Sequence, residues 1–196
     1  DYENLTGGYA SVPKQALSIT GTGGGRFYSI APRGEDYCLQ DTDFVQVYIS
    51  GTSQPIWMYA VNVEFGGKGS SYGPSPVTNI LINNASNIRL FQTKREGSVP
   101  TIVITNGHNI AYYAGGKLGR TYNTTVPANF YPGSVYSESN VDTASTNIMF
   151  ASRSVFWPGG ATQKLVYDQA SGLSVNNQTQ ICLYLKGQID DSVMGH

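Results

Sequence analysis

The chain has 196 residues, of which 40% are hydrophobic and only 13% charged, with 12 Lys and Arg against 13 Asp and Glu. That length fits one domain able to bury roughly 70% of its unfolded surface without help from a metal. The formal charge of -1 argues against a basic nucleic-acid groove, and no run approaches the roughly 18–20 apolar residues of a membrane span.

The opening "DYENLTGG" has no Met-initiated basic and apolar leader, and reads as a mature or trimmed terminus from which any signal peptide has gone. The glycine-rich "TGTGGGR" (20–26) follows. It suggests a phosphate loop, yet spells neither GxGxxG nor GxxxxGK followed by Ser or Thr, and no helix comes after it. A flexible turn is expected there. From residue 43 the period is two. "DFVQVYIS" (43–50) sets Val45, Val47 and Ile49 on one face, and "IWMYAVNVEF" (56–65), "TNILIN" (78–83), "NIRLFQT" (87–93) and "TIVIT" (101–105) continue it. "NIAYYA" (109–114), "NIMFAS" (147–152), "KLVYD" (164–168) and "QICLYLKG" (180–187) complete the series. β-Branched and aromatic residues fill these runs, and Gly, Pro, Asn or Ser punctuate them. No window shows a capped amphipathic helix, and no repeat of fixed period stands out. An all-β domain follows, expected as an antiparallel sandwich, immunoglobulin-like or jelly-roll, with long Gly-rich loops. The longest loop spans 122–145, and long ordered loops on a β scaffold commonly carry binding.

The chemistry that the residue types permit is narrow. There is no GxSxG, and His108 in "NGH" reads as a loop residue after an Asn106-Gly107 hairpin turn. Acid pairs for glycoside hydrolysis would have to face one cleft. The candidates are Glu35-Asp36, Asp41 with Asp43, Glu138 with Asp142, and Asp190-Asp191. As strand neighbours Glu35 and Asp36 would face opposite ways unless they lie in a turn, Asp41 and Asp43 could share a face and hold a calcium ion, and solvated turn acids are the plainer reading. No metal or cofactor is expected. Cys38 and Cys182 lie too far apart for CxxC chemistry. They read as one disulfide in an exported protein or as two buried thiols, and the low charge favours the disulfide. Sugars need hydrogen-bonding side chains beside exposed aromatic rings, and "NGHNIAYYAGGKLGRTYNTT" (106–125) supplies both. Its candidate ligand-binding residues are His108, Asn109, Tyr112, Tyr113, Lys117, Arg120, Tyr122 and Asn123. On a strand one of Tyr112 and Tyr113 must face inward, and Trp57 and Trp157 read equally well as core.

With the "DYENLTGG" start, one Cys38/Cys182 pair, alternating strands rich in Tyr, Thr and Asn, and the ending "QICLYLKGQIDDSVMGH", the chain resembles the N-terminal receptor-binding lectin domain of two-domain fimbrial tip adhesins from chaperone–usher pili, the uroepithelial cell adhesin type among them. The resemblance implies a lectin domain over residues 1–187, with 188–196 leading toward a pilin domain. It implies display at the fimbrial tip outside the cell after periplasmic export, as a monomer. It also implies binding of host glycans without catalysis, cofactor or membrane insertion. Each contact would be worth about -4 to -8 kcal/mol, strengthened by multivalency. Other all-β readings are a viral or phage receptor-binding head, a pilin-like structural subunit, and a carbohydrate hydrolase or lyase.

Overall fold

The computed structural model describes residues 15–32, 45–63, 78–96, 100–118, 137–156, 164–171, 173–176 and 180–195. The strands are β1 (Gln15–Thr20), β2 (Gly25–Tyr28), β3 (Val45–Ser50), β4 (Ile56–Tyr59), β5 (Thr78–Asn83), β6 (Ser86–Phe91), β7 (Lys94–Glu96), β8 (Ile102–Thr105), β9 (His108–Tyr113) and β10 (Gly116–Leu118). They continue with β11 (Ser137–Val141), β12 (Thr146–Phe156), β13 (Lys164–Asp168), β14 (Leu173–Asn176) and β15 (Gln180–Lys186). The all-β expectation holds; the antiparallel sandwich does not.

Successive strands alternate between two sheets, and within each sheet they run parallel. One sheet is ordered β1-β3-β5-β8-β11-β13-β14, and the other begins β2-β4-β6-β9-β12. A third, narrow face is formed where β7, β10 and the far half of β12 pair in parallel, with Asn62 bridging to Lys94. The chain therefore winds as a three-faced parallel coil, each turn stacked on the last through backbone bonds. Only the last strands turn back: β14 lies antiparallel on β13, and β15 lies antiparallel on β12.

The stacking explains the inward columns. Ile56, Ile88, Ile110 and Ile148 lie in register, as do Met58, Leu90, Tyr112 and Phe150, and all eight are fully buried. From the first sheet come Val47, Ile80 and Ile102, and beside them Ile49, Ile82, Ile104 and Val141. Fully burying such a side chain is worth about 1.5–3 kcal/mol, so these columns are the main stabilising term.

The corners are where parallel winding is imposed. Between the first and second sheets stand Gly21, Gly51, Asn84 and Asn106, all at positive φ. Between the second sheet and the narrow face stand Ser29, Ala60, Gln92 and Ala114, also at positive φ. Each of these four donates its backbone N–H to the coil above, from Ser29 to the Tyr59 carbonyl through to Ala114 on that of Ala151. The expected hairpin at Asn106-Gly107 is therefore a corner: β8 enters it from one sheet and β9 leaves it in the other. A repeat also exists that a fixed-period search misses. Ile80 pairs with Ile102, 22 positions on, while Val47 pairs with Ile80, 33 positions back, because segments of unequal length connect the narrow face to the next coil.

Cys38, Asp41, Asp43, Trp157 and most of the loop at 122–145 lie outside the described residues. Cys182 sits on β15, its side chain also outside them, and no disulfide is found among the described residues. Residues 188–195, expected as a linker, lie back against the coil.

Candidate functional site

The outward face of β2, β4, β6 and β9 carries two side-chain columns, because residues of one strand that alternate with the core-facing ones point away from the core. The first holds Arg26, Trp57, Arg89 and Ala111, and the second Tyr28, Tyr59, Phe91 and Tyr113. Parallel stacking sets neighbours in a column about 4.8 Å apart, within the range of centroid distances that offset-stacked rings adopt. The aromatic column uses that spacing. Tyr28–Tyr59, Tyr59–Phe91 and Phe91–Tyr113 stack at 4.9, 4.9 and 5.0 Å between centroids, within 7° of parallel. Each pair adds about 0.5–1.5 kcal/mol beyond its buried area. The interior rings cover one another and present edges and hydroxyls, whereas Tyr28 at the end of the described row is 60% exposed.

A strap crosses this face near the corner. Beyond β15, the Gln188 N–H donates to Asn147 Oδ1. The Asp190 N–H donates to Asn109 Oδ1 at 2.9 Å, and Asn109 Nδ2 returns a bond to the Asp190 carbonyl at 2.7 Å. Asn87, Asn109 and Asn147 all stand at positive φ at the same point of successive coils, and Asn109 Nδ2 also donates to Asn87 Oδ1. Arg89 donates through Nε to Asp191 Oδ1 at 2.8 Å and through its terminal nitrogens to the carbonyls of Asn109 and Asp190. The strap ends in a 3-10 turn at Ser192–Met194, whose Met194 side chain is 3% exposed. Asp191 and burial shape the neighbouring titrations. Burial first, then the Asp191 charge, raises the Tyr113 hydroxyl above its ordinary value, against a lowering by Arg89. The Ser192 side-chain and backbone bonds hold Asp190 low.

Between the strap's end and the first coils opens a shallow trough of about 640 Å³. It is lined by Gly24 and Gly25, by Arg26 and Trp57, by Thr22 and Gln54, and by Met194. Glycine is required at 24: a Cβ there would stand 2.6 Å from that of Gln54 and 3.0 Å from the Pro55 carbonyl oxygen. The Arg26 guanidinium lies 4.9 Å above the Trp57 ring, an arrangement that holds the cation in place while leaving its edge donors open. The "TGTGGGR" segment, expected as a plain turn, is thus a close-approach wall of the trough.

Of the sequence-predicted site residues, four have described side chains: His108, Asn109, Tyr112 and Tyr113. His108 is exposed on β9, its Nδ1 2.7 Å from Thr146 Oγ1. Asn109 is 1% exposed and committed to the strap, and Tyr112 is fully buried, edge-on to Phe150 at 6.3 Å; neither reaches a ligand on the surface. Tyr113 is half-buried in the aromatic column. Lys117 lies on β10, with its side chain outside the described residues, and Arg120, Tyr122 and Asn123 lie outside them altogether. The residues that the structure brings together at the trough and the aromatic column, Arg26, Tyr28, Gln54, Tyr59 and Phe91, were not among the sequence candidates, and Trp57 was left undecided. The signal was an aromatic residue closing β2, β4, β6 and β9, at 28, 59, 91 and 113.

No known protein family matches the chain. No curated protein and no solved structure matches it either. Among the described residues no group of three or more His, Cys, Asp or Glu could hold a metal ion, and no helix is long and apolar enough to cross a membrane.

Proposed function

We propose that this chain is a glycan-binding attachment domain that holds a saccharide on the outward face of its second sheet, without breaking a bond in it. The observation that carries the reading is the trough at Trp57 and Arg26, open to solvent beside the Tyr28 end of the aromatic column. A sugar presents C–H faces that pack on exposed rings and hydroxyls that bond side-chain and backbone polar groups, and this face offers both. A flat, repetitive surface also suits weak individual contacts multiplied by display. The non-catalytic part draws support from the described carboxylates, which are engaged in holding the fold: Asp142 by Ser145 and Asn106, Asp168 by Lys186 and Ser171, and Asp191 by Arg89. The proposed setting is the cell exterior, the receptor a host glycan, and the fimbrial tip the place of display.

A multivalent glycan array tests the reading. We expect binding to a defined terminal sugar or chain, no release of reducing ends, and loss of the signal in the Trp57→Ala and Tyr28→Ala variants. A blank array from folded protein would sink it. A second reading, a receptor-binding head of viral or phage type, is favoured by Leu183 and Leu185 on β15, which are 60% and 52% exposed and suit contact between copies. A trimeric mass in solution would shift the reading to that setting.

A further inference from the structure

We infer that the trough selects an acidic saccharide, with the ligand carboxylate held by Arg26 and its ring packed at Trp57; the inference rests on the glycan-binding reading above. Arg26 and Arg89 stand in one column, separated by Trp57, and so about 10 Å apart by the spacing of parallel strands. Arg89 already has its acid: Asp191 of the strap brings a carboxylate oxygen to 2.7 Å. Arg26 has the same outward direction and the same column, yet its guanidinium meets only the Trp57 ring among the described residues. The guanidinium lines the trough, and among the described residues no carboxylate accepts from its five donors. Among the described residues the other polar side chains at the trough are unclaimed in the same way. The Trp57 indole N–H, the Gln54 side-chain amide and the Thr22 hydroxyl bond no described group. Gln54 enters the hydrogen-bond network through its backbone N–H, which donates to Thr22's neighbour in the next coil, Thr52, at 3.1 Å. A neutral sugar would use the indole, amide and hydroxyl and leave the cation without an acceptor. A uronic or sialic acid would satisfy all four. Because a hydrogen bond between charged groups is worth roughly twice a neutral one, the acid should be preferred by about tenfold or more, and less so as salt rises.

The test uses oligogalacturonate, hyaluronan fragments and sialyllactose, the same sugars after carboxyl reduction, and inorganic sulfate. Binding is followed by NMR at the Trp57 indole and Arg26 Nε protons. Expected are shifts at both groups, affinity for at least one acid about tenfold above its reduced form, a fall to the reduced level in Arg26→Gln, and partial recovery in Arg26→Lys. If the reduced sugars bind as well and Arg26→Gln changes nothing, the glycan reading survives and the acidic preference is overturned. If sulfate alone shifts Arg26 while no sugar binds, Arg26 is a simple anion contact and the inference is overturned. A blank array in the same preparation would then remove the glycan reading as well.

Discussion

Arg89→Met should be far more damaging than Asp191→Ala, although the two residues form one ion pair. The Arg89 side chain is 3% exposed and that of Asp191 70%. The Coulombic part of the pair is therefore largely screened, worth about 0–1 kcal/mol. Arg89 also donates to the carbonyls of Ile88, Asn109 and Asp190 and to Asn109 Oδ1, at 2.8–3.1 Å. Methionine keeps the packing of the stem and removes every donor. The Asp190 carbonyl retains its bond from Asn109 Nδ2, but the buried acceptors at Asn109 and Ile88 lose a partner, at about 1–3 kcal/mol each. We expect a total near 3 kcal/mol for Arg89→Met and under about 1 kcal/mol for Asp191→Ala. For a chain of this size these correspond to drops in Tm of roughly 6–12 °C and at most about 4 °C. Urea titration by circular dichroism, with both variants and the double variant, measures them. Equal losses, or a larger one for Asp191→Ala, would mean that the charge pair and not the buried carbonyl bonds fastens the strap, and the reasoning would be refuted.

Three further outcomes follow from the same geometry. Asn109 stands at φ 54° and clasps Asp190, so Asn109→Gly should lose the clasp alone. Asn109→Ala should lose about 1 kcal/mol more for a left-handed alanine, and calorimetry of the pair separates the two terms. Gly107→Ala would place a Cβ against the side chains of Ile104 and Ile110, costing about 1–3 kcal/mol by overpacking the corner, read as a fall in the urea midpoint. At Asp168 burial pushes the carboxyl up, but bonds from Lys186, Ser171 and Ala170 outweigh it and hold it below its ordinary 3.8. A folded-state value below the unfolded one contributes stability that is full above about pH 4 and lost as pH falls through the folded value. Thermal melts from pH 6 to 2.5 should show an acid loss that Asp168→Asn flattens; an unchanged slope would remove Asp168 as its source.

Strand positions were legible in the sequence because in–out alternation is a local property, and β3, β5, β6, β8, β9, β12, β13 and β15 all fall on the runs that alternate. Direction was not legible. An inward Ile88 looks the same whether its neighbouring strand runs with it or against it, so the antiparallel expectation rested on short connections. The corners hold the missing information, and they hold it unevenly. Asn84 and Asn106 signal left-handed turns through their side chains, and "NASNI" and "NGHNI" repeat 22 positions apart. Ala60, Gln92 and Ala114 take the same backbone conformation with residues that announce nothing; backbone bonds to the adjacent coil hold them there, and those exist only after stacking.

The same argument accounts for the distance in sequence between the residues of the proposed trough. The 106–125 cluster lies within twenty residues of sequence, yet strand alternation sends Tyr112 to the core and the corner gives Asn109 to the strap. The trough instead joins Thr22 and Arg26 to Gln54 and Trp57 across one coil boundary, then to Met194 from the far end of the chain. Its cation and its ring lie next to each other because Arg26 pairs with Trp57 in parallel register, 31 positions away along the sequence. Moving that register by one residue would turn Trp57 inward and Met58 outward. The trough therefore depends on the winding of the coil, and Gly24→Ala, whose Cβ would stand 2.6 Å from that of Gln54, should distort its backbone and weaken the proposed binding.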